Sequence, residues 1–431
     1  MKPIFPFVCA ALLGAAACTE EPAGEPVAPS AIEARAASLA WNRTRIAGDV
    51  YHYEVTVPIG DAPNAALRLH RVVRERAPGV PRPAAHAAVL LHGDFATFVT
   101  SFLPTAGDPA SPAPGMARYL AAQGLDVWGV DRRWTLPGAD DDVSDFGGMG
   151  VAQELDDLRL ALGVVRAVRA LDGSGGGRVP LVGFSHGAQL AYVYAAVEAS
   201  RPAAQRHVSA IAALDFYGAL PPEAADTRAV FCDNAAFEDQ ALADGVTDSS
   251  NQFFIDLGTL ARTAPDDVSP IFGDRSNHDA LALVLGQTYF FAPYAPLYHL
   301  LAPVLDEAGE ARGYAAVADD AASAWLAGAT PHQSMREAAD LDHLLCGDAA
   351  PIDAPLARIR VPVLYLGAAG GAGELGVYTT TQVSSSDVTA LVARRLPPGQ
   401  EAEDVGHADL LFASDAPTLA WQPVATWLAA R

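Results

Sequence analysis

A serine lies between two glycines in the sequence GFSHG (183–187). The apolar run VPLV (179–182) precedes it, and the alanine-rich run AQLAYVYAA (188–196) follows it with helical character. A serine between a buried strand and a helix occupies a sharp turn, which requires small neighbours and projects the hydroxyl above the sheet. The pattern therefore predicts that Ser185 is a nucleophile. The backbone amide of His186 would face the negative charge that develops on a substrate oxygen.

A serine hydroxyl at neutral pH needs a base that removes its proton. The strongest candidate is His407, in EDVGHADLLF (403–412), because it follows the last predicted strand and precedes the last predicted helix. His52, His70 and His86 lie before or within early strands, where structural roles are the better interpretation. We therefore expect His407 to be the base.

The base in turn needs a carboxylate that orients its ring and stabilises its cation. This acid is expected after the strand VPVLYLG (361–367), but alanines and glycines follow that strand directly. Asp387 is the preferred candidate, because it stands at the start of a predicted helix (384–396) that leads to the last strand. Glu374 is the first alternative, and Asp215, at the end of another apolar run, is the second.

A second donor for the substrate oxygen is expected from the sequence LLHGDF (90–95), where a buried strand ends and a loop begins. Such a loop can offer the backbone amide of Asp94, or that of Phe95. A carboxylate directed into this position would oppose a developing oxyanion. The side chain of Asp94 is therefore expected to turn away from it.

The rest of the chain supplies elements that can position these residues. Buried strands are predicted at HAAVLLHG, LDVWGVDRR and VPLVGFS, and the intervening GVAQELDDLRLALGVVRAVRAL (150–171) is a clear amphipathic helix. Such alternation predicts a parallel sheet that is covered by helices on both faces, with ligands at the carboxyl ends of the strands. The alternation stops at about residue 219 and resumes at about 356, which indicates a helical insertion.

The order LLHG, GVDRR, GFSHGA, VPVLYLG and GHADLL resembles the α/β-hydrolase superfamily. The resemblance implies a mostly parallel eight-stranded sheet with helices on both faces, a catalytic triad, and no cofactor or metal. It further implies a core at 45–218 and 356–431 and a helical cap at 219–355. The glycine-rich stretch 368–383 departs from the common pattern.

The resemblance implies a hydrolase that transfers the acyl group of a small substrate to water. The first expectation is a carboxylesterase or lipase that cleaves an ester. Aromatic residues of the insertion could line an acyl pocket: Phe253, Phe254, Tyr289, Phe290, Phe291, Tyr294 and Tyr298. A peptidase of the prolyl-aminopeptidase type is the alternative. It would need a cap carboxylate for the substrate amine, from DLDHLL (340–345) or FEDQ (237–240). A noncatalytic, membrane-anchored binding protein is the third interpretation.

The N-terminus has the pattern of an exported protein. Residues 1–18 have the pattern of a signal peptide, and LLGAAAC resembles a lipoprotein box in which Cys18 becomes lipidated. Residues 19–44 read as a tether. We therefore expect export to the cell envelope (outer membrane or periplasm) as a lipoprotein, or secretion, with a lipid anchor as the sole membrane contact. The net charge of −23 argues against nucleic-acid partners. The oligomeric state is left open.

The cysteines support the same interpretation. The leader contains Cys9, and acylation would consume Cys18, so that Cys232 and Cys346 remain. Two thiols in an exported chain predict one disulfide between them. Two free buried thiols are the alternative.

Overall fold

The computed structural model describes residues 40–104, 114–288, 299–348 and 352–431. The predicted signal peptide, Cys18 and most of the predicted tether lie outside these ranges. Strand β1 begins at Ala40, so the last five residues of the predicted tether (40–44) belong to the sheet instead. Within the described ranges, none of the helices combines the length and apolar character that crossing a membrane requires.

Twelve strands are present in the described ranges. They are β1 (Ala40–Ala47), β2 (Val50–Pro58), β3 (Ala66–Ala77), β4 (Val80–Pro81), β5 (Ala87–Leu91), β6 (Asp126–Asp131), β7 (Val179–Phe184), β8 (Val208–Leu214), β9 (Pro303–Leu305), β10 (Ala311–Tyr314), β11 (Val363–Ala368) and β12 (Val388–Ala393).

Ten of these strands form one sheet in the order β1-β2-β3-β6-β5-β7-β8-β11-β12, with β4 paired to β3. Strand β2 pairs antiparallel with both β1 and β3, and β3 pairs antiparallel with β6. The remaining neighbours in the sheet, which are β6, β5, β7, β8, β11 and β12, are parallel to one another. The mostly parallel sheet is confirmed, with ten strands rather than eight. Every residue of β5 and β7 is buried, as expected for central strands covered on both faces.

The helices of the described ranges are α1 (Phe98–Phe102), α2 (Met116–Ala122), α3 (Val151–Asp172), α4 (His186–Glu198), α5 (Ala225–Ala243), α6 (Gln252–Thr263), α7 (Asn277–Gly286), α8 (Asp319–Ala327), α9 (Met335–Cys346), α10 (Gly373–Thr381), α11 (Asp409–Phe412) and α12 (Gln422–Ala429). A π-helical turn (Pro417–Trp421) leads into α12. Helix α3 packs on α4, and α2 packs on the π-helical turn.

The segment between β8 and β11 contains helices α5 to α9 together with the β9–β10 hairpin, so the insertion is not purely helical. We call residues 219–355 the cap. Helix α5 packs against α9, and a disulfide between Cys232 and Cys346 links them with their Cα atoms 4.8 Å apart. The pairing is the one that the cysteine pattern predicted.

The C-terminal part of the core differs from the sequence prediction. The segment 384–396 was predicted to be a helix, but it contains strand β12, and the helix α10 lies in the glycine-rich stretch before it. The run Val388–Ala393 is short, so its apolar periodicity fits a helix and a strand almost equally well. Pairing with β11 decides the conformation, because it completes the edge of the parallel sheet.

Candidate active site

Ser185 occupies a strained turn between strand β7 and helix α4. Its φ of 57° and ψ of −132° lie in a region that residues with a side chain rarely adopt. The Ser185 amide donates a hydrogen bond to the Leu214 carbonyl at 3.1 Å, which joins the turn to the end of β8. Strain of this kind costs of the order of 1–3 kcal/mol and persists where surrounding structure enforces it, often at functional sites.

Three glycines make the turn sterically possible. A Cβ atom at Gly183 would overlap the Gly187 carbonyl, and one at Gly187 would overlap the Leu91 carbonyl of the neighbouring strand. A Cβ atom at Gly93 would lie 2.7 Å from the Cβ atom of Ser185. The spacing of glycines around the serine is therefore a packing requirement, as the sequence pattern indicated.

His407 lies in the loop before α11 and is held from three sides. Its Nδ1 atom lies 2.7 Å from the Asp215 carboxylate. Its ring stacks on Phe184, with ring centroids 4.6 Å apart, and its amide donates to the His299 carbonyl at 3.2 Å. These contacts fix the ring and place Nδ1 on the carboxylate, so that Nε2 is the nitrogen left for a reacting group.

Asp215 is the carboxylate that contacts His407. It follows β8 directly and is fully buried, with a positive φ of 49°. Its side chain accepts hydrogen bonds from the amides of Ala368 at 2.6 Å, Ala372 at 3.2 Å and Gly373 at 3.2 Å. A Cβ atom at Gly371 would overlap this carboxylate. The glycine-rich stretch after β11 thus wraps around an acid that belongs to the neighbouring strand.

The structure does not bring the two preferred acid candidates to His407. Asp387 stands at the amino end of β12, and its exposed carboxylate pairs with Arg431 at 2.6 Å. Since the strand is parallel, this end lies opposite the carboxyl ends at which Ser185 and Asp215 are found. Glu374 is 71% exposed and pairs with Arg394 at 2.7 Å. The prediction that Asp387 contacts His407 was wrong, because it assumed that the segment 384–396 forms a helix.

Ser185 and His407 both line a cavity of about 700 Å³ between the core and the cap. The amide of His186, at the first position of α4, has no intrahelical acceptor and is available to a ligand. The cavity wall also includes Gly93, Asp94 and Phe95, the loop that was predicted to supply the second donor. The two predicted oxyanion positions therefore border the same space as the serine.

A buried arginine holds this loop from behind. The guanidinium of Arg132 donates to the carbonyls of His92 at 3.2 Å and Gly93 at 2.9 Å. It also pairs with Glu337 of cap helix α9, which accepts a further hydrogen bond from Trp134. The cap thus anchors the loop through Arg132, a role that the sequence did not reveal.

The side chain of Asp94 pairs with His186, its neighbour in space. Its carboxylate lies 2.6 Å from Nδ1 of His186 and accepts a hydrogen bond from Nε2 of Gln333 at 2.6 Å. Burial disfavours the charge of His186, but the Asp94 carboxylate outweighs that penalty and raises the pKa of His186 to about 9. Gln333 belongs to the cap, so this cluster also links cap and core.

Two cap carboxyl groups face the same cavity. Burial and the nearby Asp342 raise the pKa of Glu238 to about 9, and Oε2 of Glu238 is buried without a hydrogen-bond partner. Burial also raises the pKa of Asp342 to about 6, although the His186 charge opposes the shift. These residues come from the two sequence segments, FEDQ and DLDHLL, that were named as possible sources of an amine-binding carboxylate.

The remaining wall of the cavity is mainly apolar. Of the predicted aromatic residues, Phe253 and Phe254 line it, whereas residues 289–298 lie outside the described ranges. Further apolar lining residues are Phe184, Phe216, Phe231, Ile271, Phe272, Val284, Leu300, Trp325 and Leu411. The cavity therefore combines an apolar surface with a polar part around Glu238, Asp342 and His186.

Comparisons with known proteins bear on the fold. No protein-family model matches the sequence, and no curated protein is significantly similar to it. Among solved structures, a candidate lipase from Sulfolobus solfataricus has a TM-score of 0.61 at 15% identity, over 91% of this chain and 99% of that chain. A soluble variant of monoglyceride lipase from Saccharomyces cerevisiae has a TM-score of 0.44 at 11% identity, over 96% of this chain and 99% of that chain. The second score is too low to support an argument. Together with the sheet order and the turn at Ser185, the first likeness identifies the chain as a protein with the α/β-hydrolase fold.

Proposed function

We propose that the protein is a serine hydrolase that cleaves carboxylic esters, with Ser185 as nucleophile, His407 as base and Asp215 as the orienting acid. The observation that carries the proposal is the 2.7 Å contact between His407 and Asp215 beside a cavity that Ser185 also lines. A strained serine, a histidine and a buried carboxylate at the carboxyl ends of adjacent strands are the parts that acyl transfer needs.

The reaction follows from these positions. The Ser185 hydroxyl attacks the acyl carbonyl while His407 takes its proton, and the amides of His186 and of the 93–95 loop stabilise the oxyanion. His407 then returns the proton to the leaving alcohol, which gives an acyl-enzyme. Water, activated by His407, releases the acid and restores the serine. Asp215 holds the imidazole and stabilises its cation throughout.

The direct test is labelling with a fluorophosphonate probe, followed by identification of the modified residue by mass spectrometry. Labelling at Ser185 is expected, together with hydrolysis of p-nitrophenyl butyrate. The Ser185→Ala variant should fold normally and lose both. A folded wild-type protein that neither reacts with the probe nor hydrolyses short esters would contradict the proposal and favour the noncatalytic binding protein.

A second candidate, cleavage of substrates that carry a protonated amine, is favoured by Glu238 and Asp342. Both carboxyl groups border the cavity that contains Ser185, and Oε2 of Glu238 lacks a hydrogen-bond partner. A buried carboxyl group is costly to ionise, and the nearby His186 already pairs with Asp94, so a substrate ammonium group would add a counter-charge for Glu238 and Asp342. An aminopeptidase-like activity would use the same triad.

Matched substrates separate the two candidates. An aminopeptidase-like site should favour an aminoacyl p-nitroanilide over the N-acetylated form, and Glu238→Gln and Asp342→Asn should raise KM for the free amine alone. Asp239→Asn is the control, because Asp239 lies on the same helix and its side chain is 47% exposed. Equal rates on amine and N-acetyl substrates would leave the ester hydrolase as the function.

We further propose export through the leader, with lipidation at Cys18, on the sequence pattern alone. Mass spectrometry of the protein from its native membrane fraction should find an acylated cysteine at the mature N-terminus. The Cys18→Ala variant should move to the soluble fraction. An unprocessed N-terminus would contradict this proposal without affecting the catalytic one.

A further inference from the structure

A histidine pair and a glutamate lie together on one face of the β2–β3 hairpin, away from Ser185. Glu54 is directly opposite His70 in the antiparallel register, and His52 lies two residues before Glu54. Since side chains two residues apart in a strand point to the same face, all three side chains share it. From the sequence, structural roles were the preferred interpretation of these two histidines, and no metal site was predicted.

The ligand atoms of the three residues are close enough to share one ion. Nε2 of His52 lies 2.9 Å from Nδ1 of His70, and Nδ1 of His70 lies 3.7 Å from Oε2 of Glu54. One ligand atom from each residue lies within 4.8 Å of the other two. Zinc binds nitrogen and oxygen at about 2.0–2.2 Å in a tetrahedron, which puts its ligands a little over 3 Å apart. Small side-chain rotations would bring the set to that geometry.

A buried carboxylate supports the required form of His70. Oδ2 of Asp131 lies 3.0 Å from Nε2 of His70, and both side chains are almost fully buried. The two atoms are not aligned as a hydrogen bond, but the negative charge of the carboxylate at this distance favours a proton on Nε2, which leaves the lone pair of Nδ1 for His52 and Glu54. A carboxylate behind a ligating histidine is the usual outer partner in zinc sites. Asp131 is itself fixed, because it accepts a 2.6 Å hydrogen bond from the amide of Phe98.

The cluster is accessible from one side. The Glu54 side chain is 24% exposed, and the adjacent Arg68 side chain is 34% exposed. Arg68 approaches Glu54 at 3.9 Å and Asp131 at 4.0 Å, distances that reflect loose ion pairs rather than tight hydrogen bonds. Two carboxylates facing one guanidinium leave a net negative charge. Movement of Arg68 would open a fourth position for water.

We propose that His52, Glu54 and His70 bind a divalent transition-metal ion of the zinc type, with water as the fourth ligand. The ion would tie β2 and β3 together, and through His70 and Asp131 it would support the start of α1. Helix α1 follows the 93–95 loop directly, so the ion would stabilise the scaffold of the catalytic cavity without touching the substrate. This role is structural and is independent of the proposed hydrolysis.

The test is titration of chelator-treated, full-length protein with ZnCl₂ in a calorimeter and with CoCl₂ in the visible spectrum. One equivalent per chain, an increase in Tm by several degrees, and the intense absorption of tetrahedral cobalt are expected. Glu54→Gln, at the exposed rim, and His52→Gln should each weaken binding at least tenfold. His278→Gln is the matched control, since His278 also lies beside two carboxylates, those of Asp279 and Asp319.

Two outcomes would overturn the proposal. Wild-type protein that binds neither ion stoichiometrically would mean that the contact between the histidines is only a hydrogen bond from His52 to His70. Binding that survives in both Glu54→Gln and His52→Gln, or that is lost in His278→Gln, would place the ion elsewhere. The cobalt spectrum of the wild type decides the first question even where a variant fails to fold.

Discussion

Nδ1 of His407 lies 2.7 Å from Oδ2 of Asp215, although 192 residues separate them along the chain. The contact joins the end of β8 to the loop before α11 across the end of β11. Three backbone amides of the segment 368–373 also donate to the Asp215 carboxylate. These backbone contacts hold the Asp215 carboxylate in place in addition to its contact with His407.

Replacing Asp215 with asparagine should lower kcat for p-nitrophenyl butyrate by about 10⁴-fold. The imidazole of His407 would lose the carboxylate that fixes its tautomer and stabilises its cation. Asp387→Asn and Glu374→Gln are the matched controls and should retain nearly wild-type rates, since both carboxylates pair with surface arginines. If Asp387→Asn were the slow variant, the assignment of Asp215 would be wrong.

Gly93→Ala should lower kcat by about 10²-fold without unfolding the protein. The added methyl group would lie 2.7 Å from Cβ of Ser185, so that the 93–95 loop or the serine must shift. A displacement near 1 Å at the reacting atoms typically costs about 10²-fold in rate. Gly177→Ala, where no atom lies within 4 Å of the added group, is the control. Comparison of kcat and Tm for the two variants checks this.

Ser185→Gly should be more stable than Ser185→Ala by about 1 kcal/mol, because a backbone at φ of 57° is strained with a Cβ atom and relaxed without one. Both variants lack the proposed nucleophile and should be inactive. The same pair of substitutions at Ser209, in strand β8, should show the opposite order. Urea denaturation of the four variants measures the difference, and equal stability at position 185 would argue against backbone strain.

Removal of the disulfide with Cys232→Ser and Cys346→Ser should destabilise the protein. The bond closes a loop of 114 residues, for which the chain-entropy model gives roughly 4–5 kcal/mol. A lower Tm is expected for the double variant and for wild-type protein in reductant, with no further effect of reductant on the double variant. An unchanged Tm in all three cases would mean that the bond does not constrain the unfolded chain.

Glu238→Gln should stabilise the protein at alkaline pH and not at acidic pH. In the folded chain the pKa of Glu238 is raised to about 9, whereas in the unfolded chain the group ionises above about 4.5. Between these values the folded state holds the extra proton, so wild-type stability falls as pH rises. The Tm of the variant should exceed that of wild type increasingly from pH 5 to pH 9, and the two should agree near pH 4. Asp239→Asn should not reproduce this divergence.

Local sequence patterns predicted several features of the candidate active site. The glycines around Ser185 are required within a few residues of it, so the sharp turn at Ser185 and the helix-terminal position of His186 could be predicted from adjacent residues. The disulfide followed from a count of cysteines. His407 could be singled out by its late position, after Gly406 and before an apolar run. The short strand predicted directly before it is absent from the described residues 397–405.

The acid and the composition of the cavity depended on tertiary structure. The sequence does not distinguish the three candidate acids Asp215, Asp387 and Glu374, because each offers a carboxylate. Which of them contacts His407 depends on whether the segment 384–396 pairs with β11 as a strand. That pairing places Asp387 at the far end of the sheet. The grouping of Glu238 with Asp342 depends on the packing of α5 against α9, and that of His52 with His70 depends on the register of β2 and β3. Contacts between residues distant in sequence are set by the packing of the whole chain, and no local pattern encodes them.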